Sequence, residues 1–153
     1  MSKIEARLKE LGVTLPAAPA PAANYVPFVQ VGDLVFVSGQ ISQQNGTLIT
    51  GKVGADLTTE EGAAAAKTCG IGLLAQVKAA CGGDLDRLVR AVKLSGFVNS
   101  TPDFTEQPQV INGCSDFLVE ALGDAGQHSR AAVSAGALPL NVAVEIEGIF
   151  QIS

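Results

Sequence analysis

Arg130 follows a glycine-bearing loop (residues 123–129) and opens a run of small and branched residues, the setting of a side chain at the start of a strand. A guanidinium grips a carboxylate through two parallel N–H···O bonds and cannot lose its proton, so Arg130 is either an anion anchor or an ordinary surface arginine. Glu145 and Glu147 flank Ile146 in an alternating stretch and so share one strand face. Carboxylates there are solvated, paired with a cation, or used as general base and acid. Ser38-Gly39-Gln40 ends an apolar run, where glycine either lets a ligand approach backbone N–H groups or forms a strand-end turn. Tyr25, the only tyrosine, precedes the first strand and either lines a pocket or caps the core. Asn112 lies early on a helix, facing a ligand or bonding the local backbone. His128, the only histidine, reads as an exposed loop residue.

Other chemistries lack their residues. With one histidine and no G-x-S-x-G elbow, a serine hydrolase is poorly supported. Cys69, Cys81 and Cys114 are widely spaced with no C-x-x-C pair, which argues against a zinc or iron–sulfur site and for buried, reduced thiols. No P-loop or G-x-G-x-x-G fingerprint is present, so neither metal nor cofactor is expected. The net charge is −5 and the pI about 4.7, with lysines and arginines dispersed, so nucleic acid is not an expected partner. No apolar run approaches the ~18 residues of a membrane span, and the N-terminus lacks a secretory pattern, so the expected location is the cytoplasm.

The elements that must position these residues are legible. At 153 residues the chain is read as one domain, and 47% hydrophobic against 16% charged residues argues for an ordered core. Ser2-x-x-Glu5 is a capping box opening a short helix that Gly12 ends. Residues 16–23 (PAAPAPAA) read as an extended crossing segment. A hairpin over 26–38 turns at Gly32-Asp33, and a further short strand is expected near 47–50 after Asn45-Gly46. Thr58-x-x-Glu61 caps a long helix over 59–81, stopped by Gly82-Gly83. Residues 88–98 read as a strand, Pro102 and Pro108 as punctuation of the next loop, and Val110 to Ala121 as a second amphipathic helix. Strands from Arg130 to Ala135 and over 142–152 finish the chain.

This order predicts an α+β sandwich, a mostly antiparallel sheet with two helices on one face. Its other face is rich in valine and isoleucine. Burial stabilises by about 25 cal/mol per Å² of apolar surface, so oligomerisation is the physical expectation.

Leu34-Val35-Phe36-Val37-Ser38-Gly39-Gln40-Ile41, then Arg130-Ala131-Ala132-Val133, Leu138-Pro139 and Val144-Glu145-Ile146-Glu147, together resemble the signature of the YjgF/Rid family (reactive intermediate deaminases, also labelled L-PSP endoribonucleases). The resemblance spans nearly all of residues 15–153. It implies a chorismate-mutase-like fold, a homotrimer, and small carboxylate or imino-acid ligands in clefts between subunits. The implied activity is hydrolysis of 2-imino and enamine acids to 2-oxo acids and ammonia. By resemblance Arg130 binds the substrate carboxylate and Glu145 positions or activates water. Tyr25, Ser38, Gly39 and Asn112 line the cleft. Many members carry a cysteine two residues after the arginine; here it is Ala132, whose backbone carbonyl would hold the nitrogen. The N-terminal helix and the stretch from Asn112 to Asp116 resemble a longer branch of the family. A non-catalytic carboxylate-binding trimer is the alternative, and an endoribonuclease a third reading that the acidic charge disfavours.

Overall fold

A computed structural model describes residues 2–18 and 24–153. Five strands form the main sheet: β1 (Phe28–Val31), β2 (Leu34–Ile41), β5 (Leu88–Asn99), β6 (Ser129–Ala135) and β7 (Val144–Ile152). Their order is β1-β2-β7-β5-β6. All neighbours are antiparallel except β5 and β6. A parallel pair needs a crossover, and α3 (Gln107–Leu122) supplies it. The other helices are α1 (Lys3–Glu10) and α2 (Thr59–Ala80).

The expected capping boxes are the local reason these helices start where they do. Thr58 Oγ1 accepts from the Glu61 N–H at 3.1 Å, and Glu61 Oε1 accepts from the Thr58 N–H at 3.0 Å. At α1 only half of the expected box forms: Ser2 Oγ accepts from the Glu5 N–H at 3.0 Å, while the Glu5 carboxylate pairs with Lys78 at 2.6 Å. Asp86 adds two further caps to α1, accepting from the Lys3 and Ile4 N–H groups, which ties the N-terminal helix to the start of β5. Those bonds hold the Asp86 carboxyl below its usual value.

Two expectations shift. The short strand after Asn45-Gly46 is β4 (Thr47–Leu48), and it pairs with β3 (Gln43–Gln44) as a separate hairpin outside the main sheet. Pro108 does not punctuate the loop but lies in the first turn of α3, where its missing N–H would have no helical partner anyway. The crossing segment expected over 16–23 extends into residues 19–23, outside the described residues.

Strand alternation sorts the sheet into two unlike faces. Val35, Val37, Leu94, Val98, Val144, Ile146, Phe150 and Ile152 point to the helices and are almost wholly buried. Ile111 of α3 fills the space over Gly96, where an added Cβ would lie 2.6 Å from its Cδ1. Gly113 lets α3 touch the Ala63 backbone of α2 directly. Among the described residues the opposite face has no layer over it: Val31 is 61% exposed, Val29 50%, Val133 46% and Phe36 40%. The three cysteines are free and buried in the helical layer and its C-terminal cap. Burial pushes the Cys114 thiol up to about 12 and that of Cys69 well above its usual value. Thiolates are the reactive form, so these side chains are inert packing groups. Among the described residues no helix is long and apolar enough to cross a membrane.

Candidate functional site

The residues singled out from the sequence fall into two groups, one on each face of the sheet. Residues paired across neighbouring strands share a face. Arg130 pairs with Leu94, which pairs with Gly148. Leu94 is fully buried under the helices, so Arg130 emerges on the helical side, at the β6 edge. Glu145 pairs with Phe97 on one flank and Ile41 on the other. Phe97 is three residues from Leu94, an odd offset, so Glu145 emerges on the open side.

On the helical side Arg130 is held by α3. Its Nη1 donates to Ser115 Oγ at 2.9 Å and its Nη2 to the Pro108 carbonyl at 3.3 Å. Asn112 stands four residues after Pro108 and three before Ser115, on the helix face that holds the guanidinium. Ala132 follows two residues along β6, opposite Gly96, and packs against the core edge. His128, half-buried rather than exposed, completes this side: Nε2 lies 2.9 Å from Ser115 Oγ and Nδ1 lies 2.6 Å from the Gly126 carbonyl. Neither Ser115 nor His128 was expected from the sequence. The available signal was the two-residue spacing of His128 and Arg130, which places both on one side of an extended chain.

On the open side Glu145 stands against Gly39. A Cβ there would lie 2.9 Å from Glu145 Oε2, so any other residue would push the carboxylate away. The pairing of β2 with β7 steps from Val37–Gly148 to Gln40–Ile146, so Ser38 and Gly39 together oppose Glu147. This bulge twists the strand locally and re-aims its side chains. The Ser38 hydroxyl donates to the Val26 carbonyl at 2.8 Å, and its N–H to the Pro27 carbonyl at 2.9 Å. Those two bonds pin the segment carrying Tyr25, which is 51% exposed. Partial burial raises the Glu145 carboxyl above its ordinary value, and the nearby Glu147 charge raises it further. A carboxylate with a raised affinity for protons is a better general base at neutral pH.

Chemically, the helical side offers a fixed cation for an anionic group, and the open side a half-desolvated carboxylate. The sheet separates the two within one chain. A depression of about 230 Å³ on the open face lies between Phe36, Lys93, Glu147 and Ile149. A larger cavity of about 710 Å³, lined by neither Arg130 nor Glu145, lies between residues 11–17, the end of β2, α2 and the β3–β4 hairpin. Its one charged lining side chain is Lys67, and it holds no carboxylate or imidazole among the described residues. No group of three or more His, Cys, Asp or Glu among the described residues is placed to hold a metal.

Comparisons with known proteins agree with this architecture. A family model described as "YjgF/chorismate mutase-like, putative endoribonuclease" matches residues 5–150. Protein TCP17 of Trypanosoma cruzi is 46% identical over 153 residues, covering 99% of this chain and 95% of TCP17. The crystal structure of Atu1372 from Agrobacterium tumefaciens, whose function is unknown, is 50% identical, with 98% of this chain and 92% of that one covered and a TM-score of 0.92. A structure from Shewanella oneidensis described as a putative endoribonuclease is 35% identical, with 97% and 99% covered and a TM-score of 0.93.

Proposed function

The chain belongs to the YjgF/chorismate mutase-like family, and from this membership and the two halves of the site we propose that it is a hydrolytic deaminase of 2-imino and enamine acids. It would work as a homotrimer, with each cleft joining the Arg130 side of one copy to the Glu145 side of the next. Arg130 and Asn112 hold the substrate carboxylate. Glu145 takes a proton from water as its oxygen bonds to the imine carbon. That proton passes to the nitrogen, giving a carbinolamine; its hydroxyl proton then moves by way of Glu145 to the amino group as the C–N bond breaks, and a 2-oxo acid and ammonia leave. The Ala132 carbonyl, Ser38, Gly39 and Tyr25 shape the cleft around a small substrate. Placement and preorganised charge carry most of the catalysis, because an imine is already reactive. The free, buried thiols fit a reducing compartment such as the cytoplasm.

The observation that carries this reading is the raised carboxyl of Glu145 against Gly39. A protein that merely captured carboxylates would need Arg130 and no such base. The ribonuclease reading has less support: the chain is acidic, and its one histidine is engaged with Ser115 and Gly126. The test is a coupled assay in which an amino-acid oxidase or dehydratase generates 2-iminopropionate or 2-iminobutyrate in the presence of semicarbazide. Wild type should suppress semicarbazone formation, and Arg130→Ala and Glu145→Gln should not. Wild type without effect across several imines would leave carboxylate binding without turnover.

A further inference from the structure

Ser115, His128 and Arg130 form a hydrogen-bonded row whose donors and acceptors can be ordered. The Gly126 carbonyl can only accept, so His128 Nδ1 carries the proton at that 2.6 Å contact. In the neutral ring Nε2 is then an acceptor, and the Ser115 hydroxyl donates to it across 2.9 Å. With its proton committed, Ser115 Oγ presents lone pairs to Arg130 Nη1, also at 2.9 Å. Each bond fixes the direction of the next. The row starts at a main-chain carbonyl in the 3-10 turn Gly123–Gly126 and ends on the guanidinium.

The geometry points to Ser115 and His128 as positioning residues that aim the guanidinium of Arg130. The inference rests on Arg130 being the carboxylate anchor proposed above. Arginine has a long side chain whose free rotamers dilute any one geometry, and a bidentate grip on a carboxylate needs the fork in one plane. Bonds to Ser115 and Pro108 occupy two of the five N–H donors and leave three for a ligand. Nucleophilic use of Ser115 is disfavoured. It sits in the middle of α3, where backbone N–H groups are spent in the helix and cannot stabilise an oxyanion.

Two measurements test this. His128 is the only histidine, so selective ¹⁵N-histidine labelling reports on it alone. In wild type at neutral pH the ¹⁵N shifts should show the Nδ1–H tautomer. The Nε2–H tautomer would overturn the row. The second measurement is calorimetric binding of 2-oxobutyrate with parallel kinetics on the matching imine. Loss of one such bond in Ser115→Ala should raise Kd and KM about tenfold and leave kcat within about twofold. Ser115→Thr, which keeps a hydroxyl, should restore affinity, and His128→Leu should mimic Ser115→Ala. Unchanged affinity in Ser115→Ala, with Arg130→Ala binding lost, overturns this inference and spares the anchor. A collapse of kcat alone in Ser115→Ala would make the serine a reacting group and also overturn it. Wild-type affinity in Arg130→Ala would remove the anchor and the positioning role together.

Discussion

The two faces of the sheet are made by the same strands with the same alternation, yet they end in opposite states. Under α2 and α3, Leu94, Ile146 and Phe150 are completely buried, and the cation that reaches this side is tied to a helix by two hydrogen bonds. On the other side Val31, Phe36 and Val133 face solvent, next to a carboxylate that is half desolvated without a cationic partner among its described hydrogen bonds and ion pairs. One chain thus builds a cation tied to its own helix and a carboxylate with no cation of its own beside it. In the homotrimer proposed above, copies of the chain would cover this open side, since apolar surface and charge complement are then supplied by one sequence.

Truncating matched phenylalanines sharpens this contrast most. Phe150→Ala on the helical side should cost about 3–5 kcal/mol in urea unfolding, from lost burial and a cavity. Phe36→Ala on the open side should cost the isolated chain less, about 1–2 kcal/mol, because Phe36 is already 40% exposed. A comparable loss from both would mean that the faces are equally packed. Phe36→Asp carries the contrast into assembly: a charge on the apolar patch should shift sedimentation from oligomer to monomer while the far-UV circular dichroism stays native.

The next comparison tests whether the two sides belong to one site. Arg130→Ala and Glu145→Gln should each be inactive alone. Refolded together in equal amounts, random assortment around a ring should restore roughly a quarter of the wild-type activity if each cleft takes one side from each neighbour, as proposed. No recovery would place the whole site within a chain, against the opposite faces of Arg130 and Glu145.

The smallest effect concerns Glu145 itself. Its folded carboxyl titrates above the ordinary value of 4.5, so the folded state binds the proton more tightly than the unfolded chain. Stability from this group is fully present below 4.5 and is lost as pH rises through the raised value. Glu145→Gln should therefore raise Tm slightly at neutral pH, with the difference from wild type shrinking as pH falls from the raised value to 4.5. Activity should fall as pH drops through the raised value, because the base is then protonated.

Local rules account for much of what was legible in the sequence. The Thr58–Glu61 box, the Gly32-Asp33 turn and the period of α3 each depend on residues within a few positions of one another, and all appear as expected. The motif around Arg130 and Glu145 marked the family and its fold. The detachment of β3 and β4 from the main sheet was not legible, since a turn signal does not say which sheet its strands join. Nor was the bulge at Ser38-Gly39: two residues opposing one is a property of the pairing with the distant strand β7, not of either strand.

What the sequence determined by itself is the strands of the main sheet, the two long helices and the alternation that gives the sheet one apolar side too many. Tertiary structure alone decided that Arg130 and Glu145 lie on opposite sides. That depends on the parallel register of β6 on β5 and the antiparallel register of β7 on β5, and a slip of one residue in either would reverse it. It also decided that Ser115 and His128, 13 residues apart, meet at the guanidinium. Side-chain direction on a strand has period two, so register, which is a contact between distant segments, sets which residues can share a site.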